Sequence, residues 1–192
     1  MRPITAALLI LCAFCLPLTA RANPYLDFDG TRFYLAYAPN DPSDHLRQYV
    51  PAGESMDHWN RMLSSQLYKN LHDPEQYIKT LAHKVQGGKP EKNYELYIDK
   101  KKNMYLLEFV DISHRNFVEC NIMQANYEKG VGLNLWRYSW RIYNVDKMNE
   151  KQLNSMAARI RKDMARIVPK FWVFDFHEKV SAPAPNRANT SQ

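Results

Sequence analysis

Six histidines, three cysteines and twenty acidic residues are the raw material for catalytic or metal-binding chemistry in this 192-residue chain. The histidines stand at His45, His58, His72, His83, His114 and His177, and no two are four residues apart. A helical zinc site needs that spacing to bring two imidazoles to one metal, so no metal is implied. Cys120 and His114 are near enough in sequence to form a thiol–imidazole pair, but no third group is evident to orient the imidazole. A lone cysteine in an apolar strand reads more simply as a small buried side chain. Gly53-Glu54-Ser55 lacks the second glycine of a nucleophile elbow. Gly87-Gly88-Lys89-Pro90 lacks the hydroxyl of a phosphate loop, and Gly130-Val131-Gly132 opens a strand instead of a helix. No cofactor is implied.

The candidates that remain are binding residues: Arg137, Arg141, Glu54 and His58. Along Leu133 to Tyr143, Trp136, Tyr138, Trp140 and Ile142 alternate with Arg137, Ser139 and Arg141. That pattern belongs to an antiparallel sheet with one wet or ligand-facing side, and exposed arginines are frequent interface anchors. One reading is therefore a non-enzymatic binding or protein-interaction domain with a protein partner, including the immunity type that blocks a toxin by occupying its active site. The other is a small hydrolase that uses Glu54, His58 or His114 as acid and base in a cleft near the first helix. Nucleic acid is not an expected partner. The aromatics and arginines point opposite ways, whereas single-strand binders set both on one face.

The elements that must position these residues follow from local pattern. Arg32–Ala38 and Leu46–Val50 read as strands. Ser55 reads as the N-cap of a first helix carrying Trp59, Leu63 and Leu67 at spacing four, with Glu54 as a helix-start carboxylate. Asp73-Pro74-Glu75-Gln76 opens a second helix, Gln76 reaching back to its cap, and Gly87-Gly88 ends it. Strands are expected over 93–98, 104–110, 116–124 and 133–143, the second of them central because it is apolar on both faces. Asn149 caps a last helix with Leu153, Met156, Ala157, Ile160, Met164 and Ile167 on one face, and Pro169 ends it. Residues 23–31 read as a loose lead-in. The expected fold is α+β: an antiparallel sheet of about five strands packed by two N-terminal-half helices and one C-terminal helix.

The first 22 residues read as a secretory signal: Arg2, an apolar run over 6–16, then Ala20-Arg21-Ala22 as the cleavage pattern. The run is about half the roughly 20 residues that a membrane span needs, and the residues before Cys12 and Cys15 are too large for a lipobox. No stable membrane insertion is expected. Loss of Arg2 and Arg21 takes the formal charge from +6 to +4, too mild to argue for nucleic acid. It also leaves one thiol, Cys120, so no internal disulfide can form. The expected organisation is a signal over 1–22, one α+β domain over 23–179 and a disordered tail over 180–192, working in the periplasm or outside the cell. Tyr49, Val50, Pro51, Gly53, Glu54 and Trp59 form a Tyr-Val-Pro-x-Gly-Glu-x-x-x-x-Trp segment. It resembles one in small exported proteobacterial proteins of unknown function. The resemblance implies a bacterial exported α+β domain and carries over no catalytic residue.

Overall fold

The computed structural model describes residues 23–41, 45–87 and 93–180; the expected signal and residues 181–192 of the expected tail lie outside them. Two four-stranded meanders form one antiparallel sheet. The first is β1 (Pro24–Phe28), β2 (Thr31–Tyr37), β3 (Arg47–Pro51) and β4 (Arg61–Tyr68). The second is β5 (Tyr94–Asp99), β6 (Met104–Asp111), β7 (Phe117–Glu128) and β8 (Gly132–Tyr143). They join where β4 pairs with β8, from Arg61↔Trp140 to Tyr68↔Leu133. The two-residue β9 (Lys179–Val180) adds to β1, giving the order β5-β6-β7-β8-β4-β3-β2-β1-β9.

Helix α1 (Pro74–Gln86) connects the meanders and α2 (Glu150–Trp172) follows β8. They lie on opposite faces. Directly paired residues of an antiparallel sheet share a face, so the register assigns each side chain. Leu106, Ile122, Tyr138, Leu63 and Tyr49 meet Ile160, Met164, Ile167 and Phe171 of α2 in the larger core. Tyr105, Leu107, Met123, Ala125, Leu133 and Leu135 meet Ile78 and Ala82 of α1. Strand β6 is covered on both faces, as its sequence implies, but lies second from an edge.

The strand and helix numbers correct the sequence expectation: the described residues form nine strands and two α-helices, not about five and three. The fold remains α+β. The expected first helix is a loop over 55–60 followed by strand β4. A spacing of four is also an even number, so Leu63 and Leu67 share a face in a strand as they would in a helix. The eight-residue pairing with β8 decides between the two. The expected lead-in contains β1, which turns into β2 through Asp29-Gly30 at φ 47° and 73°. Asp-Gly with both φ positive is the two-residue hairpin signal. Asp73 does cap α1, accepting from the Gln76 amide at 2.8 Å, but the Gln76 side chain donates forward to Thr80 instead of back. Pro169 lies inside α2, which runs on to bury Phe171. Pro169 gives up one backbone donor, and the full burial of Phe171 just beyond it favours continuing the turn.

Asp29 ties the β1–β2 turn to α2, accepting from Arg166 at 2.7 Å and Lys170 at 2.6 Å. Burial acts to raise its carboxyl, but hydrogen bonds from Arg166 and then Lys170 outweigh burial and hold it below the usual carboxylate range. A depressed native pKa contributes stability that is complete above the unfolded value of about 4 and is lost as pH falls through the native value. Asp29→Asn is therefore expected to lower Tm at pH 7, and urea titrations should show the gap from wild type closing below about pH 4.

At the β7–β8 turn, Gly130 (φ 84°) faces open space, whereas a Cβ on Gly132 (φ 126°) would meet the Tyr68 carbonyl oxygen at 2.6 Å and the Lys69 Cα at 2.8 Å. Gly130→Ala is expected to cost about 1–2 kcal/mol of conformational strain. Gly132→Ala adds a backbone clash to a glycine-only conformation and should cost about 3–5 kcal/mol in denaturant unfolding.

Candidate functional site

The face beneath α1 carries a polar strip. On β7, Glu119 and Asn121 point to this side while Val118, Cys120 and Ile122 point to α2. Opposite them on β8 are Arg141 and Ser139, and Arg137 stands opposite Met123. Strand β4 continues the rows with Met62 beside Ser139 and Ser64 beside Arg137. Two covers lie over the strip. Helix α1 shields the rows of Leu135 and Ala125, and the 52–60 loop shields Met62 and Val50 with Trp59. Arg137 falls on the row between them.

Arg141 is occupied. Its Nε donates to Glu119 Oε2 at 2.9 Å, with the two side chains 20% and 11% exposed. Its guanidinium lies 3.7 Å from the Trp59 ring centroid and 4.4 Å from that of Phe117. This cation between two rings holds the loop to the sheet. The latch has three further parts. Tyr143 Oη donates to the Trp59 carbonyl at 2.7 Å, the Arg141 amide donates to the Asn60 carbonyl at 2.9 Å, and Glu54 accepts from the Asn60 and Arg61 amides at 2.7 and 3.2 Å. Glu54 thus does for a strand start what was expected of it at a helix start. Ser55 closes a small turn, its Oγ accepting from the His58 amide at 3.3 Å. The Tyr-Val-Pro-x-Gly-Glu-x-x-x-x-Trp segment is this latch.

Arg137 is free. It is half-buried, and among the described residues no carboxylate forms an ion pair with it and no group accepts a hydrogen bond from it. Burial pulls its pKa down, Glu119 opposes that pull and Arg141 reinforces it. Two arginines and one buried glutamate leave the strip one positive charge in excess. The sequence reading paired Arg137 with Arg141 as equivalent anchors; the structure separates them into a free cation and a structural one.

The acid–base candidates do not converge. His58 stacks on Tyr143 with ring centroids 5.2 Å apart, and His114 stacks on Phe117 at 4.1 Å with Asp111 at 3.8 Å. Among the described residues no hydrogen bond joins Glu54, His58 and His114. Cys120 is fully buried under α2, and burial, with Asp163 and Glu119 adding to it, pushes its thiol up to about 12. No group of three or more His, Cys, Asp or Glu residues among the described residues is placed to hold a metal ion. Glu119 and Asn121 are the residues that sequence reasoning missed. Their signal was two polar residues alternating with Val118, Cys120 and Ile122.

A protein-family model matches residues 21–172 of the chain. No curated protein matches it.

The different states of the two arginines separate in stability. Arg137→Met keeps the aliphatic stem and removes an uncompensated half-buried charge, so it should stabilise by about 1 kcal/mol and raise Tm by about 2–4 °C. Arg141→Met strands Glu119 and empties the space between two rings, and should destabilise by about 2–4 kcal/mol. Thermal unfolding of both variants checks the opposite signs.

Proposed function

The chain belongs to the uncharacterised family whose model it matches, and we propose that it works as an exported, non-catalytic interaction domain in which Arg137 receives an acidic group of a protein partner. The free guanidinium of Arg137 carries this reading. A half-buried cation without a counter-ion lowers the stability of the isolated fold, and a partner carboxylate would recover that cost on binding. The site is walled by α1 on one side and the latched 52–60 loop on the other, so the charge is partly desolvated before the partner arrives. Pre-desolvated arginines are the kind that dominate interface energetics. Export rests on the signal pattern of residues 1–22. No helix among the described residues is long and apolar enough to cross a membrane.

The immunity-type version is the special case in which the carboxylate belongs to the active site of a toxin. The hydrolase alternative required two of Glu54, His58 and His114 in mutual reach, and Glu54 already spends its carboxylate on two backbone amides. The test is capture from periplasmic extract on immobilised mature chain. A partner retained by wild type and by Arg115→Met, an exposed loop control, but lost with Arg137→Glu is the expected result. Equal capture by Arg137→Glu would sink the proposal.

A further inference from the structure

We propose that a second site, on the opposite face of the sheet, binds an oxyanion: the cleft between the start of β4 and the middle of α2 takes the phosphate or carboxylate group of a small molecule. The cleft measures about 390 Å³ and is lined by Arg61, Tyr138, Trp140, Arg159, Asp163 and Arg166, among others. That volume lies in the range of small-molecule sites.

The hydrogen-bonding inventory determines the ligand class. Both carboxylates of the cleft face cations, Asp29 through hydrogen bonds and Asp163 through longer ion pairs. Asp29 accepts from Arg166 and Lys170, and Asp163 pairs with Arg159 at 3.6 Å and Arg166 at 3.8 Å. What is left over donates. Arg61 Nη1 reaches only the neutral Thr31 hydroxyl, at 2.6 Å, and no carboxylate pairs with Arg61 among the described residues. Tyr138 is 3% exposed and its hydroxyl has no hydrogen-bond partner among the described residues. Burial raises that hydroxyl to about 12, and Arg61, Asp29, Arg166 and Asp163 also act on it. All four line the cleft, so the hydroxyl ends there, protonated and able to donate. Trp140 lines the cleft too, and its indole N–H is a donor without a partner among the described residues. Guanidiniums outnumber carboxylates in the lining, and the buried hydroxyl and indole N–H add neutral donors, so the cleft favours an anionic acceptor. The three carboxylates around it hold it in shape: Asp29 fixes Arg166, Asp163 fixes Arg159, and Glu54 pins the backbone of Arg61.

Full-length mature protein is titrated with inorganic phosphate and, separately, with acetate, each against sodium chloride at matched ionic strength. Calorimetry and the aromatic NMR resonances of Tyr138 and Trp140 provide the readouts. Saturable binding of at least one oxyanion, with shifts at these rings, is the expected result, and the stronger arm identifies phosphate or carboxylate as the preferred group. Arg61→Met and Tyr138→Phe should each weaken it about tenfold or more, whereas Arg137→Met, on the other face, should bind like wild type. Should Arg61→Met fail to fold, Tyr138→Phe, which keeps the ring, decides alone. Absence of saturation beyond the chloride control, or unchanged affinity in the folded variants, overturns the site.

Discussion

The twelve-residue pairing of β7 with β8, from Phe117↔Tyr143 to Glu128↔Gly132, assigns the central side chains to one helix or the other. Because side chains alternate, a slip of one residue would turn Arg137, Ser139 and Arg141 into the larger core and expel Tyr138 and Trp140 from it. The register is protected chemically on both faces. On one, Glu119 finds Arg141 and Asn121 Oδ1 accepts from the Ser139 hydroxyl at 2.7 Å. On the other, Ile122, Tyr138 and Leu63 align under α2. Strand β4 then reads its own register off β8, and the whole first meander follows.

The same strand therefore supplies both proposed surfaces. Its odd-numbered residues from 137 to 141 build a polar strip with one free cation. Its even-numbered Tyr138 and Trp140 floor a cleft on the far side. The 52–60 loop links the two faces: Trp59 seals Arg141 on the strip, while Glu54 fixes the backbone from which Arg61 enters the cleft. Arg141, on the strip, is also among the residues that line the cleft. The latch therefore contacts both surfaces, through two hydrogen bonds to Glu54 and one stacked guanidinium.

Much of this was legible before any coordinates. The facing of β8, the caps of α1 and α2, and the apolar stripe of α2 follow from periods of 2 and 3.6 and from capping chemistry. What was not legible had a physical cause in each case. Leu63 and Leu67 satisfy both periods, so only the partner strand resolves β4. Pro169 reads locally as a stop, but the long-range burial of Phe171 carries α2 past it. The pairing of Arg141 with Glu119 is a long-range fact, set by strand register that local pattern does not contain. Arg137 and Arg141 therefore look alike in sequence and differ in the fold.

That difference shows why a count of charges is a poor guide to function and a count of partners a better one. Most of the ionic groups are spoken for: Asp29, Glu119 and Arg141 each stabilise a join between elements, and Asp163 pairs within α2. Their role ends in the fold. Arg137 on one face, and Arg61 with Tyr138 on the other, hold donor capacity that the chain itself leaves unused. Folding satisfies buried polar groups almost everywhere because leaving them unsatisfied costs about 1–3 kcal/mol each. Groups left with spare donors at the mouth of a cleft or between two covers are thus the places where the stability of the isolated chain and the requirements of a ligand diverge. Both proposed sites hold more guanidinium than carboxylate, and on that reading each would take a partner group that bears negative charge.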